Sequence, residues 1–375
     1  GLFQFALVSE TWKVLAENVL IKRWKGKMSE ACRSGETKVV KLLLERCNFE
    51  ESGLNIKDEK GATALMWACF NGHKDVVRLL LERCNSEESG LNTKDTNGWT
   101  AFMIACFYGH KNLVQLLLNY SERIELNART YHGGSNAFMM ACSNGHTDVV
   151  KLLLDHTERI ELNARDDYEE TAFMLACRSG HKDVLKLLMD HSDGIELNTR
   201  SNDGTTPFMV ACQNGHKDVA QLLLDHSERI ELNARSINGW TAFMEACFNG
   251  HKDVVQMFLE HSRTNELNER SNTGHTAFML ACLKGEKDVV KLLLDNSERI
   301  ELNARSNNGF TAIMIACSNG YKEVVQLFLD HSEKIDLNAR SHNGNTAFMW
   351  ACSNGRNKDV VKLLLEYSEV VDINI

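Results

Sequence analysis

The sequence lacks the short motifs that usually mark catalysis. H-E-x-x-H, a Walker A loop, G-x-S-x-G and the kinase signatures are all missing, which removes the common zinc, phosphate-cradle and activated-nucleophile chemistries. No C-x-x-C pair is present, and no apolar run approaches the ~18 residues of a membrane span. There is no excess of positive charge either: the formal net charge is −9, an unfavourable balance for a nucleic-acid binder. Proline occurs once, at Pro207.

What is present is a repeat. The stretch 201–235, SNDGTTPFMVACQNGHKDVAQLLLDHSERIELNAR, returns with small edits when the chain is shifted by 35 residues. An internal period of this size dictates an array rather than the two or three globular domains that length alone would suggest. Within the unit, Asn202-Asp203-Gly204 signals a turn. Thr206 is placed to cap a helix that begins at Pro207, where the missing N–H costs nothing. Phe208, Met209, Ala211 and Cys212 give that short helix an apolar face, and Asn214-Gly215 stops it. Asp218 opens a second helix at the end where the dipole favours a carboxylate. Val219, Ala220 and Leu222 to Leu224 are its apolar side. A helix of roughly eight residues is not stable alone, so each unit must stack on its neighbours.

Turn, G-x-T-P, short helix, G-H, V-x-x-LLL, loop, N-A: this order resembles the ankyrin repeat over about nine-tenths of the chain. The resemblance implies an all-α ankyrin-repeat solenoid of stacked helix pairs with projecting β-hairpin loops, curved around a concave binding face. Departures are visible. T-P-L-H becomes T-A-F-M in most units, with Met209, Met244 and Met279 standing where the family has a histidine; apolar packing by Phe and Met is the expected substitute. The 130s carry an extra residue in YHGGSN, and Glu169-Glu170 stand where a glycine belongs, so the hairpin between Thr130 and Thr171 is expected to be weaker than the rest.

The expected organisation is an N-terminal helix over 1–24 and a degenerate first repeat over 25–57. Nine further repeats follow over 58–94, 95–129, 130–165, 166–200, 201–235, 236–270, 271–305, 306–340 and 341–375. In the opening helix Phe5, Val8, Trp12, Leu15 and Val19 fall on one face, which suits a cap over the first repeat; a membrane-surface helix is the alternative. Gly1 in place of Met suggests a start further upstream or a non-native segment. The chain stops where another hairpin would begin, as expected of an excerpt from a longer array or of a last repeat whose open face is tolerated.

Four ladders of residues need assigning. Ten of the twelve cysteines share one repeat position (Cys32, Cys69, Cys106, Cys142, Cys177, Cys212, Cys247, Cys282, Cys317, Cys352). Equivalent positions on stacked helices lie ~8–10 Å apart, too far for a disulfide. They are read as small apolar side chains, with Cys47 and Cys84 more exposed in the long loops. So many unpaired thiols point to a reducing, cytoplasmic compartment. Histidines form two ladders, His73, His110, His146, His181, His216 and His251 after the inter-helix glycine, and His156, His191, His226, His261 and His331 at the end of the second helix. Their one-repeat spacing suits turn and helix-end roles and not a shared metal. A basic ladder (Lys57, Lys94, Arg129, Arg165, Arg200, Arg235, Arg270, Arg305, Arg340) enters the hairpins; Glu125, Glu161, Glu196 and Glu231 lie just upstream, favouring local pairing over an anion track.

No catalytic residue, metal site or cofactor is expected. The expected function is a non-enzymatic scaffold presenting its repeat surface to a protein partner, with no nucleic acid, small-molecule substrate or membrane involved. The alternative is the targeting or regulatory arm of a larger enzyme or adaptor. Aromatic residues in positions that vary between repeats are the candidate contacts: Phe70, Trp99, Phe107, Tyr108 and Tyr131 near the front, then Trp240, Phe248 and Phe310. Phe70, Phe107 and Phe248 have packing along their own hairpins as an alternative. Trp67 and Trp350 are read as core.

Overall fold

A computed structural model describes residues 2–47, 53–54, 56–83, 90–191, 194–261, 264–353 and 357–373, with the side chains of 2–12, 83, 264 and 265 outside that description. The expectations for Phe5, Val8 and Trp12, and for Cys84, therefore fall outside the described residues. The chain forms two compact units, residues 1–176 with 186–195, and residues 177–185 with 196–375.

Thr206 shows why each repeat begins where it does. Its extended backbone precedes the helix Pro207–Gln213, and its side chain accepts the N–H of Met209, one of the orphan donors of the first turn. Thr63, Thr100, Thr241 and Thr276 cap their helices in the same way, and Asn136 does so through Oδ1. The Met that replaces the family's histidine also takes part. At Thr63 and Thr346 the N–H of the cap is donated to the sulfur of Met66 and Met349, at 3.4 and 3.5 Å, closing the reciprocal half of a capping box. Phe102, Phe138, Phe208 and Phe278 beside these methionines are almost wholly buried, which is the apolar packing the T-A-F-M pattern implies.

In the first unit the helices Met28–Ser34, Ala64–Phe70, Ala101–Phe107 and Ala137–Ser143 pack in succession, backed by Thr37–Arg46, Lys74–Arg83, Lys111–Leu118 and Thr147–Leu154. In the second, Pro207–Gln213, Ala242–Phe248, Ala277–Lys284, Ala312–Asn319 and Ala347–Ser353 pack likewise, backed by Lys217–Asp225, Lys252–His261, Lys287–Asp295, Lys322–Asp330 and Lys358–Glu366. Val219, Ala220, Leu222 and Leu223 face inward as their spacing requires. Nine of the ten ladder cysteines are buried as free thiols, among apolar neighbours whose desolvation pushes them above the ordinary thiol range at Cys69 and every later member. Cys352, in the last helix pair, is exposed, and Cys47 is half-buried.

Two expectations are corrected. The projecting loops carry no strand among the described residues. Each is a tight turn closed by a backbone pair, such as Asp95 N–H to Trp99 O at 3.0 Å, and several are tied to the preceding turn by another, such as Tyr131 N–H to Asn97 O at 2.9 Å. The opening helix, Leu2–Trp24, does pack on Thr37–Arg46, but not by the expected face: Leu15 and Val19 are 54% and 63% exposed. Glu17, Ile21 and Trp24 are the half-buried residues there, and Glu17 is bound by Arg46 at 3.3 Å. The face that a helical pattern marks as apolar is not always the face that docks.

The turn at 166–170 is closed like its neighbours, with Asp166 Oδ1 accepting the N–H groups of Tyr168 and Glu170 at 2.9 and 2.8 Å. Its weakness lies in the backbone. Glu169 takes a φ of 61°, where the other turns use glycine. A side chain in that region costs roughly 1–2 kcal/mol. Glu169→Gly should therefore stabilise the chain by about 1 kcal/mol in urea unfolding, despite loss of the exposed Arg165–Glu169 pair. A lower urea midpoint would show that the turn is not strained.

Candidate functional site

Aromatic side chains of two successive repeats meet in the first unit. Trp67 packs edge-on against Phe70 (ring centroids 5.5 Å apart), Phe70 against Tyr108 (4.7 Å), Tyr108 against Phe107 (5.1 Å) and Phe107 against Trp99 (5.0 Å). These are the edge-to-face contacts that ring quadrupoles favour. The row comes from the ends of two first helices, Ala64–Phe70 and Ala101–Phe107, and from the turn that precedes the second of them. Phe70 and Tyr108 are 41% and 42% exposed, while Trp67, Trp99 and Phe107 are half-buried. Beside Trp99 and Phe107 opens a cavity of about 220 Å³ whose walls include Met139, Met140 and Leu175.

The row has a charged end. The Arg33 guanidinium lies 3.5 Å from the centre of the Trp67 ring and 4.0 Å from Asp58, and Trp67 Nε1–H donates to Asp58 at 3.0 Å. Burial alone would push Asp58 up. Hydrogen bonds from Ala62, Trp67 and Lys60, with the charge of Arg33, hold it below the ordinary carboxylate range instead.

Reading Trp67 and Trp350 as core is thus corrected: both are half-buried, Trp67 in this row and Trp350 against Phe310 at 4.8 Å. A tryptophan can bury its ring edge and leave a face outside, so an apolar helix position does not place it in the interior. Tyr131 is exposed under Lys94, apart from the row. In the second unit Trp240 packs on Phe248 at 4.8 Å, with the Lys284 ammonium 4.7 Å from the Phe248 ring centre. Phe107 and Phe248 thus pack on the turn of their own repeat while keeping part of the ring outside. Phe70 joins the next repeat.

The first histidine ladder and the basic ladder are engaged between repeats. His73, His110 and His146 direct Nε2 at the carbonyls of Arg33, Phe70 and Phe107, and His216 and His251 at those of Arg178 and Gln213, at 2.7–3.1 Å. Each ring fills the space that a Cβ on the preceding repeat's glycine would need; at Gly180 that atom would lie 2.5 Å from His216 Nδ1. Glu286, Tyr321 and Asn357 fill the place in later repeats. The second ladder caps helix ends, with Nδ1–H of His226 and His331 donating to the carbonyl four residues back. Basic side chains pair locally, with acids of the following repeat. Arg200 binds Glu231 at 3.0 Å, Arg235 binds Glu269 at 2.6 Å and Arg340 binds Asp372 at 3.3 Å. Lys94, Arg129 and Arg270 also donate to a carbonyl one repeat on. Among the described residues no three His, Cys, Asp or Glu side chains converge as a metal site, and no helix is long and apolar enough to cross a membrane.

One residue passed over in the sequence stands out here. Glu245, in the first helix Ala242–Phe248, is only 8% exposed, at a position filled by Ile104, Met140, Val210, Leu280 and Ile315 elsewhere. Burial, reinforced by the nearby Asp203 carboxylate, pushes its carboxyl up to about 7. The signal was the lone acid in an apolar column.

A family model for ankyrin repeats (3 copies) matches residues 28–88, 84–166, 124–201, 158–236, 228–306 and 296–375. No curated protein matches the sequence.

Two outcomes follow from these contacts. Gly180→Ala should destabilise by about 1–3 kcal/mol through its positive φ and the His216 ring. Combined with His216→Ala it should cost less than the sum of the two changes, and additivity in the denaturant cycle would dissolve the proposed contact. For Glu245 the folded carboxyl binds its proton more tightly than the unfolded one, so this group's contribution is fully present below pH 4.5 and is lost as pH rises through about 7. Urea midpoints of Glu245→Gln should thus gain on wild type across that window. A gap independent of pH would contradict the assignment.

Proposed function

Because this chain belongs to the ankyrin-repeat family, whose repeats are generally protein–protein interaction modules, we propose that it is a non-enzymatic scaffold gripping a protein partner through the aromatic row of its first unit. The observation that carries this reading is the row itself: five rings from neighbouring repeats, two of them two-fifths exposed, ending in an arginine. Rings held by one another lose little freedom on binding, and large aromatics and arginine are the side chains that most often dominate an interface. The cavity beside Trp99 offers an apolar partner side chain somewhere to insert.

The occupied basic ladder supports a protein partner over a nucleic acid, since its cations are already committed to carbonyls and carboxylates of the next repeat. Free thiols in every described repeat support a reducing, cytoplasmic setting.

Phe70→Ala combined with Tyr108→Ala tests the row without emptying the core. Affinity capture with wild type identifies a partner, and calorimetry then compares the two proteins. The double variant should bind more weakly by ~2 kcal/mol or more, with little change in melting temperature. Unchanged affinity would remove the row from the interface.

A further inference from the structure

We propose that Glu245 receives the cationic side chain, arginine or lysine, of a polypeptide lying over the first-helix face of the second unit. The proposal rests on the reading of this chain as a protein binder, but on different residues. Among the described residues nothing donates a hydrogen bond or forms an ion pair with the Glu245 carboxylate, although the residue as a whole is only 8% exposed. A largely buried carboxyl in that condition is costly to the free protein once ionised, and an incoming cation offsets that cost.

Its surroundings say what that something is. The nearby carboxylate, Asp203, is fixed by its own turn. Its Oδ1 accepts from Ser201 Oγ at 2.5 Å and from Thr205 Oγ1 at 2.6 Å. Burial pushes Asp203 up, yet these bonds outweigh it and hold the group below its ordinary value, so it remains an anion in the neighbourhood of Glu245. The third titratable neighbour, Cys212, is pushed well above the ordinary thiol range by burial and stays neutral. Two acids thus lie within electrostatic reach of each other, with no cation committed to Glu245 among the described residues. A metal ion is disfavoured, because no third ligand joins them among the described residues. Three residues beyond Glu245 on the same helix, Phe248 pairs with Trp240 and carries the Lys284 ammonium over its ring, so this face already seats a cation on an aromatic surface. An incoming arginine or lysine would meet a carboxylate with an aromatic pair nearby, and charge complementarity fixes its sign.

The test uses the full chain and an array of random nonapeptides synthesised in pairs, the central residue being arginine or its uncharged isostere citrulline. A subset of pairs should bind wild type at least tenfold better as arginine. That preference should vanish in Glu245→Gln and in Glu245→Leu, the second matching Leu280 in the next repeat so that the fold is retained. It should survive Phe70→Ala with Tyr108→Ala, and it should grow from pH 6 to pH 8 as Glu245 ionises. A preference that persists in both Glu245 variants reflects only the net charge of the protein and overturns the proposal, as does binding with no arginine preference. If no peptide binds at all, this site is overturned, whereas the scaffold reading stands or falls on the Phe70→Ala with Tyr108→Ala calorimetry.

Discussion

The asparagine of the recurring L-N segment is the contact on which the stack depends. Its side-chain amide both donates and accepts across the repeat boundary. Asn127 donates to Arg159 O at 2.8 Å and accepts from Glu161 N–H at 3.0 Å, and Asn92, Asn198, Asn268, Asn303 and Asn338 make the same two bonds to their following repeats. An amide with both ends engaged fixes rotation as well as distance, and it satisfies two backbone groups of a loop that has no strand to pair with. Apolar burial draws the helix pairs together; the amide sets their register. The histidine rings and the arginines then find carbonyls already in place.

How much of this could be read beforehand depended on sequence distance. Thr206, Pro207, Gly204 and Gly215 were legible because a cap, a helix start and a turn are decided within four residues. The burial of Phe208, Met209 and Cys212 was legible because a short helix has to hide its apolar face. The arginine ladder was read as pairing with the acid upstream, and the structure shows Arg200, Arg235 and Arg340 on acids of the next repeat. Nothing within one period distinguishes Glu196 from Glu231 as a partner for Arg200. The histidines after the glycine had the same ambiguity, since their acceptor lies 38–40 residues back. Leu15 and Val19 misled for another reason: a helical pattern reports that a face is apolar, and it cannot report which neighbour exists to cover it.

The candidate contacts separate by chemistry. The first unit offers rings, closed at one end by Arg33. In the second, Trp240 with Phe248 and Phe310 with Trp350 are shorter pairs, and Glu245 interrupts an otherwise apolar column between them. Of these features only the rings were singled out from the sequence, because aromatics at variable positions are conspicuous. A buried carboxyl is conspicuous only once its burial is known.

The asparagine bridges have a kinetic side. In every one of the six, donor and acceptor are 31–34 residues apart, whatever their position in the chain. The loop that must close to form a bridge is therefore of constant size, and its entropy does not grow as repeats are added. Contact order falls as the array lengthens, so a longer chain of this design searches no harder for its native contacts than a short one. Folding can start at any well-formed boundary and spread to its neighbours, which gives separate starting points on one polypeptide.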